Sequence, residues 1–464
     1  MASDSRPIVE RLFRVGSILG IAVLAFTAGA FTTEFRATPH PELLAPAFQA
    51  IRVVDRRLRP PHLPEDVWVQ TRHRPGVYNR VPSRSWGRYT LLSTGHTQSI
   101  YLVDRDGTLV HRWHRPFREA FPEAPHLEKV APPAAIDLIG LHLYPDGRVL
   151  GLYDASGVSP YGYGVVALEA DSEVAWTYAG HAHHDLEVGP DGDVWTLTHD
   201  WRDPVEEPIR GFDRNPVQVL EDFVVRLSES GEVEDRFSLV DTIADSDRYR
   251  VLGRWLGAKA CRKSWDLLHA NSVEPVTSDF AEHHDFADRG DLLISVRTLD
   301  ALMLVDPDSH QLQWLERGFW KGQHDPDALP NGHILVYDNA GGTEPGGASR
   351  VVEFDPSTGR RVWAWGGGRD VRFEDSWGGA QQALPNGNVL ITEPIGARVL
   401  EVTRAGEIVW EYRPPSQVTY RGDQISAIVR PATRLSAGAV DFPLERPEPG
   451  AGRFELDRPR TVEW

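Results

Sequence analysis

From Arg88 onward, short runs of apolar and β-forming residues alternate with polar turns that contain glycine, and this pattern occurs six times. Two of the clearest copies begin with ALPNGHILVYDNA and ALPNGNVLITEPI. Each copy holds about four short runs joined by Asp-Gly, Asn-Gly or Ser-Gly pairs, which are the preferred turns of β-hairpins. The first turns of the later copies carry the glycines Gly147, Gly192, Gly290, Gly332 and Gly387. Four strands that repeat about every 40–50 residues are typical of propeller blades.

The repeat predicts an all-β fold with a six-bladed β-propeller over residues 88–414. Each copy ends at an aromatic residue that we expect to pack between blades: Trp113, Trp176, Phe237, Trp314, Trp365 and Trp410. The widest glycine spacing, 98 residues from Gly192 to Gly290, contains a stretch whose apolar residues recur at every third or fourth position. This periodicity predicts a helical insertion at about residues 240–268. Residues 415–464, rich in Pro and Arg, are predicted to form a C-terminal extension with a short helix and an irregular tail.

The N-terminus carries a membrane or export signal. Residues 15–31 contain no charge and follow basic residues, and their 17 positions are at the short end of the roughly 17–25 that span a bilayer. Ala28-Gly29-Ala30 offers a small-residue cleavage site, so residues 1–34 are a signal anchor or a signal peptide. Residues 35–87, rich in Pro and Arg, are predicted to form a stalk. We expect an inner-membrane anchor with the remainder facing the periplasm or extracytoplasmic space; cleavage and secretion are the alternative.

Composition narrows the function classes. The chain has 49 Lys and Arg against 67 Asp and Glu, and residues 91–464 alone carry a formal charge of −24. An acidic body argues against a nucleic acid as partner, because phosphate binding needs a basic surface. Cys261 is the only cysteine, so an intramolecular disulfide and a thiolate metal cluster are both excluded.

Polar residues recur at matching positions of the predicted blades. Counting back eight residues from Gly192 and Gly332 gives His184 and His324, each followed by Asp, and we expect both at one level. Counting forward seven residues from Gly192, Gly290 and Gly332 gives a second polar ring: His199, Arg297 and Asn339. The segment LLHANSV adds His269 and Asn271, which an extended chain would point to one side.

This set has the chemistry of an anion site. We expect three of these histidines, an arginine and an asparagine to meet at a shared depth, with no cluster of Asp or Glu among them: His184, His269, His324, Arg297 and Asn271. A guanidinium and an imidazolium can hold non-bridging oxygens, and an imidazole nitrogen can act as a nucleophile. The residues therefore predict a site for a small anionic group.

Three segments carry a resemblance to a known family: LLHANSV, GDLLISVR and GQHDPDALPNGHILVYDNA, together with the opening RYTLLSTGHTQSIYLVDRDGTLVHRW. They resemble the arylsulfate sulfotransferases, bacterial six-bladed propellers that move a sulfuryl group between phenols without a nucleotide donor. The resemblance runs from about Arg88 to about Ser436, which is most of the chain.

The resemblance implies a ping-pong transfer through a sulfurylated histidine, with aryl sulfates and phenols as partners and with neither cofactor nor metal. It implies that His324 is the nucleophile and that Arg297, His269 and Asn271 bind the sulfate group. His184 matches the remaining active-site histidine, although His181 or His183 could take its place.

We expect lesser roles at four further positions. His183, His199 and Asn339 are candidates for substrate binding, and Asp325 either orients the His324 ring or caps a turn.

Two other functions stay open from the sequence. The segments HAHHD and AEHHD have the composition of metal-ligand clusters, so a metal-dependent hydrolase or lyase on the same fold is one alternative. A non-catalytic extracytoplasmic propeller that serves as a scaffold is the other.

Overall fold

The computed structural model describes residues 67–155, 161–203, 206–210, 218–253, 266–340, 349–368, 371–376, 378–420 and 422–444. The predicted signal segment, most of the stalk, Cys261 and residues 445–464 lie outside them. Within the described ranges, no helix is both long enough and apolar enough to cross a membrane.

The described residues are mainly β-strands, which confirms the all-β prediction. The strands are β1 (Trp68–Gln70), β2 (Gly76–Tyr78), β3 (Tyr89–Ser93), β4 (Ser99–Asp104), β5 (Leu109–His114), β6 (Ile136–Leu143), β7 (Val149–Ala155), β8 (Gly162–Leu168), β9 (Val174–Tyr178), β10 (Ala182–Val188), β11 (Val194–Arg202), β12 (Val219–Leu227), β13 (Val233–Ser238), β14 (Ala270–Pro275), β15 (Leu292–Val296), β16 (Ala301–Val305), β17 (Leu312–Arg317), β18 (His324–Ala328), β19 (Ile334–Asp338), β20 (Arg350–Asp355), β21 (Arg360–Trp365), β22 (Ala380–Ala383), β23 (Val389–Glu393), β24 (Arg398–Val402), β25 (Ile408–Arg413), β26 (Gln417–Tyr420), β27 (Asp423–Ala427) and β28 (Thr433–Leu435).

Helices are few and short in the same ranges. They are α1 (Phe117–Ala120), α2 (Leu239–Asp245) and α3 (Ser278–Ala281), with 3-10 turns at Pro133–Ala135, Arg297–Leu299 and Ala437–Ala439. Residues 250–253, which end at a gap in the described ranges, are also α-helical. Helix α2 lies at the start of the predicted helical insertion, whose residues 254–265 are outside the described ranges. It begins at the N-cap Ser238, whose side chain accepts a hydrogen bond from the Asp241 N–H.

Six antiparallel sheets of four or five strands follow one another along the described chain. We number them as sheet 1 (β28-β3-β4-β5), sheet 2 (β6-β7-β8-β9), sheet 3 (β10-β11-β12-β13), sheet 4 (β14-β15-β16-β17), sheet 5 (β18-β19-β20-β21) and sheet 6 (β22-β23-β24-β25-β2). A further sheet has three strands in the order β1-β27-β26. The first strands of sheets 2 to 6 contact one another in sequence, so residues near their starts come close together.

Each pair of successive sheets shares a hydrophobic cluster. Leu152 of sheet 2, for example, belongs to the cluster of Val225 in sheet 3, and Tyr101 of sheet 1 belongs to the cluster of Leu390 in sheet 6. In the spatial order given above, the six closing aromatics all lie in the fourth strand of their sheets, which is also the last strand of each sequence repeat. Trp113 and Trp410 are fully buried there. Aromatic burial between sheets therefore supplies much of the core.

The C-terminal segment contains strands that the sequence analysis did not predict. Residues 417–435 contain three strands, and β28 pairs with β3 to complete sheet 1. At the other end, β2 adds a fifth strand to sheet 6 by pairing with β25. The sheets therefore recruit strands from both sides of residues 88–414. These strands were missed because short strands depend on their pairing partners, which a local Pro- and Arg-rich composition does not reveal.

Candidate active site

Backbone irregularities at the first strands of sheets 3, 4 and 5 place the candidate residues. The ladder is interrupted between His183 and Leu186 in β10, and again at the start of β14 and of β18. Three residues at these interruptions, His184, His269 and Asp325, have φ between 50° and 60°. Such left-handed conformations cost about 1–3 kcal/mol in non-glycine residues and cluster at functional sites, where surrounding contacts fix them.

The interruption in β10 corrects one prediction. His324 pairs with Tyr337, three residues after the start of β19, and His183 pairs with Leu197, three residues after the start of β11. The ladder equivalent of His324 is therefore His183, whereas counting from the turn glycines gave His184. The count failed because the β10 bulge holds one more residue than the bulge in β18.

A second prediction fails for a similar reason. Strand β14 begins at Ala270 and its ladder shifts between Ala270 and Ser272, so regular alternation does not connect His269 with Asn271. Other bonds hold the two residues. The Arg297 N–H donates to the His269 carbonyl at 3.2 Å, and the Asn271 amide donates from Nδ2 to the Gln323 carbonyl at 2.9 Å. Asn271 therefore lies next to the start of β18, which carries His324, and His269 lies next to Arg297 at the end of β15.

The His324 imidazole is oriented by Asn339. His324 Nδ1 lies 2.7 Å from Asn339 Oδ1, and Asn339 Nδ2 donates to the carbonyls of Asp375 and Gly378. Because the amide nitrogen is engaged by two acceptors, the oxygen faces the ring, and His324 Nδ1 must carry the proton that it donates. Burial and the Arg297 charge lower the pKa of His324 to about 3. At neutral pH the ring is neutral, with an unshared electron pair at Nε2.

Asp325 does not orient this ring. Its Oδ2 accepts the Gln381 N–H at 2.9 Å, which ties sheet 5 to sheet 6. Asn339 orients the His324 ring, which was one of the two roles expected for Asp325. Asp325 has a structural role, as in the turn-capping alternative, but its hydrogen bond joins two sheets.

Two cationic or potentially cationic groups flank His324. The Arg297 side chain follows β15, and its Nε is buried without a hydrogen-bond partner among the described residues. His269 Nδ1 lies 2.5 Å from Asp266 Oδ2, so the carboxylate fixes the ring and leaves Nε2 for a ligand. An unpartnered guanidinium nitrogen beside an oriented imidazole is suited to an anion.

A group of packed histidines and one tyrosine lies beside this pair. The His183 ring stacks on His199 with centroids 4.4 Å apart, and the His184 ring lies 4.9 Å from that of His269. Tyr161 contacts all four of these rings. His183 and His199 are fully buried, so they lie behind His184, and direct contact with a substrate is not available to them in this conformation. Burial and the neighbouring histidines lower the pKa of His184 well below its ordinary value.

The described residues contain one group with metal-ligand geometry. His183, His199 and Asp222 each bring one donor atom within 4.8 Å of the others. The Tyr161 N–H, however, donates to His199 Nε2 at 3.2 Å, which places the proton of the neutral ring on Nδ1 and makes that atom a donor. His183 Nε2 lies 3.3 Å from Asp222 Oδ1. His183 Nε2, His199 Nδ1 and Asp222 Oδ1 are buried without a hydrogen-bond partner among the described residues, but a protonated His199 Nδ1 has no electron pair for a metal.

The second proposed ligand segment, AEHHD, is also engaged elsewhere. Both ring nitrogens of His284 have partners: Nδ1 contacts Ser357 Oγ at 2.9 Å and Nε2 contacts the Gly332 carbonyl at 2.6 Å. A histidine with both nitrogens in hydrogen bonds has no electron pair to offer a metal without losing one of them. These contacts give the metal alternative no support at this segment.

Carboxylates lie close to the histidines, contrary to the expectation that no Asp or Glu clusters there. The carboxylate cluster, as we call it, consists of Asp185, Glu187, Glu274, Asp325 and Asp327 from strands β10, β14 and β18. Burial, reinforced by the neighbouring carboxylates, raises the pKa of Glu274 to about 8. Burial likewise raises the pKa of Asp325 to about 7. Asp185 and Glu274 accept the backbone N–H groups of Val273 and Ala328, so they join successive sheets.

Sequence reasoning missed three residues of the site: Tyr161, Asp222 and Asp266. Asp266 could have been noticed, because it precedes His269 by three residues in DLLH. Asp222 stands in the strand-like run VLEDFVVRL, where an acidic residue in a buried strand is itself a signal of a polar partner. For Tyr161 the sequence offers no comparable signal.

A protein-family model and several solved structures match this chain. The family model described as Arylsulfotransferase (ASST) matches residues 141–414, which include every candidate site residue named above. No curated protein matches the chain significantly.

Several solved structures are similar at low identity. A protein of unknown function from Bacteroides caccae is 13% identical, covers 74% of this chain and 99% of its own, and has a TM-score of 0.43. The WD40 β-propeller domain of Doa1 is 11% identical, covers 80% and 97%, and has a TM-score of 0.38. Virginiamycin B lyase from Staphylococcus aureus is 12% identical, covers 60% and 70%, and has a TM-score of 0.32. At these TM-scores nothing about function follows from the three structures.

Proposed function

Because the chain belongs to the arylsulfotransferase family, we propose that it moves a sulfuryl group from an aryl sulfate to a phenol by a ping-pong reaction through His324. Family membership supports a sulfotransferase role and hence an enzyme. The observation that carries the finer proposal is the hydrogen bond from His324 Nδ1 to Asn339 Oδ1. It leaves Nε2 of a neutral imidazole free to attack sulfur, as a nucleophile requires.

The sulfuryl oxygens are held by cationic and polar groups around His324. The unpartnered Nε of Arg297 supplies a donor, His269 Nε2 supplies another when the ring paired with Asp266 is charged, and Asn271 completes the set next to the Gln323 carbonyl. Sulfuryl transfer resembles phosphoryl transfer, in which positioning and charge stabilisation carry most of the catalysis. The net negative charge of the protein repels an anionic donor only weakly, because charges farther than about 8–10 Å are screened at physiological salt.

The aryl oxygen needs a proton when it leaves. Negative charge develops on this oxygen as its bond to sulfur breaks, and a neighbouring imidazole can protonate or hydrogen-bond it. His184 and His269 are the two candidates, since their rings lie 4.9 Å apart beside His324. In the second half-reaction a phenol enters, gives up its proton and takes the sulfuryl group from His324.

The proposed function is accompanied by a proposed arrangement of the six sheets. We propose that the six sheets are the blades of one propeller, because hydrophobic clusters join each sheet to the next and sheet 6 to sheet 1. Two contacts support closure of the ring: the Arg434 N–H donates to Gln382 Oε1 at 2.8 Å, and Trp410 Nε1 donates to the Arg105 carbonyl at 2.9 Å. In this arrangement the six first strands line a central channel, with His324 near one mouth.

The location of the enzyme is proposed from sequence alone. The uncharged run at residues 15–31 follows basic residues, so we propose that residues 1–34 direct the chain out of the cytoplasm and anchor it there. Fractionation of cells that express the full chain, compared with a chain that starts at residue 35, tests this point. Retention of the full chain in the cytoplasm would contradict it.

Intact mass spectrometry tests the reaction directly. The chain from residue 35 onward is exposed briefly to an aryl sulfate without acceptor, and we expect its mass to rise by one sulfuryl group. Addition of phenol should discharge the adduct and yield phenyl sulfate. The variant His324→Ala should show neither the adduct nor transfer.

The controls separate this proposal from its rivals. A His333→Ala variant removes a histidine of the following hairpin and should form the adduct normally. If no adduct and no phenol release appear over a panel of donors, the covalent mechanism is wrong and a scaffold becomes the better hypothesis. Tight stoichiometric metal, required for any activity, would instead favour the hydrolase or lyase.

A further inference from the structure

His183 connects His184 with a buried carboxylate. His183 Nδ1 lies 2.9 Å from His184 Nδ1, and His183 Nε2 lies 3.3 Å from Asp222 Oδ1. The side chains of His183 and Asp222 have no exposed surface. Three groups from β10 and β12, the first and third strands of sheet 3, thus form a series of contacts from Asp222, in the interior, to His184 at the site.

The direction of the protons along this path follows from the acceptors. Asp222 Oδ2 accepts the Ala270 N–H at 3.0 Å, and an ionised carboxylate can only accept. His183 Nε2 and Asp222 Oδ1 face each other at 3.3 Å, and neither has another hydrogen-bond partner among the described residues, so we assign the proton of this contact to His183 Nε2. A neutral His183 then has its electron pair on Nδ1, where it accepts the Nδ1–H of His184. This leaves His184 Nε2 with an electron pair that can take a proton from a substrate.

We propose that His183 and Asp222 are positioning residues of a proton relay, Asp222–His183–His184, which stabilises the charged form of His184 while it exchanges a proton with the aryl oxygen. This inference rests on the proposed function and adds to it. It assigns the acid–base role to His184 and leaves His269, fixed by Asp266, to hold the sulfuryl oxygens.

The two half-reactions balance through this one proton. In the first, the Nε2 pair of His324 forms a bond to sulfur and the sulfur–oxygen bond breaks. The aryl oxygen keeps that electron pair and takes the Nε2 proton of His184, which this histidine has taken up from solvent as the anionic donor binds. In the second, an entering phenol returns a proton to His184 Nε2 as its oxygen binds sulfur. The bond between sulfur and His324 breaks, and its electron pair returns to Nε2.

The relay offsets the electrostatic cost of a positive charge on His184. His184 lies among His183, His199, His269 and His324, and burial with these neighbours opposes a positive charge on it. A sulfate ester supplies one compensating negative charge when it binds. Asp222 supplies another through His183, in the way that a buried carboxylate stabilises the imidazolium of an acid–base histidine in hydrolases.

Two donors that differ in their need for an acid test the relay. Phenyl sulfate releases a basic phenolate and needs protonation, whereas 4-nitrophenyl sulfate releases a stabilised phenolate and needs little. We expect Asp222→Asn to slow transfer from phenyl sulfate by about 100-fold or more and to change transfer from 4-nitrophenyl sulfate by less than about 5-fold. An asparagine can donate to His183 Nε2, which would reverse the tautomers along the path.

A second variant keeps the test valid if Asp222→Asn does not fold. His183→Gln places an amide oxygen where it can accept the His184 Nδ1–H but breaks the connection to Asp222. We expect it to slow phenyl sulfate by about 10-fold and to spare 4-nitrophenyl sulfate. The matched control is Asp235→Asn, which alters an exposed pair in which Asp235 Oδ2 lies 2.7 Å from His310 Nε2. It should leave both donors unchanged.

The outcomes distinguish the relay from the underlying reaction. If the wild-type chain forms no adduct with either donor, the proposed function fails and the relay fails with it. If the wild type is active and the folded variants slow both donors equally, the reaction stands and the relay is overturned, because a merely structural defect does not discriminate between leaving groups. Selective loss with phenyl sulfate supports the relay.

Discussion

Two buried groups of ionisable side chains lie along the same three segments, and burial acts on them with opposite sign. The imidazoles of His184, His269 and His324 lie at or just before the starts of β10, β14 and β18, and the carboxylate cluster follows within a few residues on the same strands. Burial lowers the pKa of His324 to about 3 and raises the pKa of Glu274 to about 8. One physical effect therefore favours the neutral form of the His324 imidazole and of the Glu274 carboxyl group.

The difference lies in what each group bonds to. His324 and His269 each use one ring nitrogen on a protein partner and keep the other for a ligand. Asp185, Glu274 and Asp325 instead accept backbone N–H groups of the next sheet. The two groups therefore differ in use: the three carboxylates join successive sheets, whereas each of the two imidazoles directs one ring nitrogen to a protein partner and the other toward the proposed ligand.

The largest expected effect tests this division by activity. Arg297→Ala should lower kcat/KM for an aryl sulfate by about 1,000-fold, because it removes the charge that stabilises the transferring group. Asp327→Asn, an isosteric change in the carboxylate cluster, should lower it by less than about 3-fold. Steady-state phenol release measures both. A loss of activity in Asp327→Asn comparable with that in Arg297→Ala, at unchanged unfolding temperature, would contradict the division.

A smaller effect is expected at the residue that orients the nucleophile. Asn339→Leu removes the acceptor for His324 Nδ1–H, so the proton is no longer confined to that nitrogen and kcat should fall by about 100-fold. Asn339→Asp keeps an acceptor at this position and should recover part of the loss. The rate of adduct formation in rapid-quench mass spectrometry measures both variants. Equal rates in the two variants would show that the acceptor does not matter.

The smallest effect concerns the pH dependence of stability, and its sign differs between the two groups. Unfolding lets His324 take up a proton between pH 3 and pH 6.5, so its contribution to stability is lost as the pH falls through this range. Unfolding lets Asp325 release a proton between pH 3.8 and pH 7, so its contribution is lost as the pH rises through that range. Each proton accounts for at most about 1.4 kcal/mol per pH unit.

Matched asparagine variants separate the two contributions. Relative to wild type, His324→Asn should gain free energy of unfolding as the pH falls from 6.5 to 4, and Asp325→Asn should gain as it rises from 4 to 7. Asparagine tolerates the φ of 50° at position 325, so backbone strain does not confuse the second comparison. Urea unfolding across this pH range gives both curves. Parallel curves would mean that burial does not perturb the two groups in opposite directions.

The sequence predicted the features that depend on local pattern. Hairpin turns and alternating apolar positions gave the strands, and the recurrence of Trp113, Trp365 and Trp410 identified the closing strand of each repeat. His324 and Arg297 followed from resemblance and from their distance to the turn glycines. The structure places Asn339 against the His324 imidazole. From the sequence, Asn339 was only a member of the second polar ring and a candidate for substrate binding.

The remainder depends on contacts between distant segments. The level of His184 was wrong by one residue because the number of residues in a bulge is set by packing around it. The carboxylate cluster was missed because the acidic residues of HDPDALPNG look like ordinary turn residues until neighbouring strands bury them. The Asp222 carboxylate lies 3.3 Å from the His183 ring across the sheet, and no local periodicity predicts such a contact.

The pairing of β28 with β3 has a consequence for the order of events during synthesis. Strand β3 leaves the ribosome early, but its partner, Thr433–Leu435, is among the last described segments to emerge. Until then one edge of sheet 1 stays unpaired and open to another strand. Pairing over such a long sequence separation is slow, which prolongs this exposure. A nascent chain that stalls before Thr433 would therefore be prone to aggregate, although nearly all of its sheets are already translated.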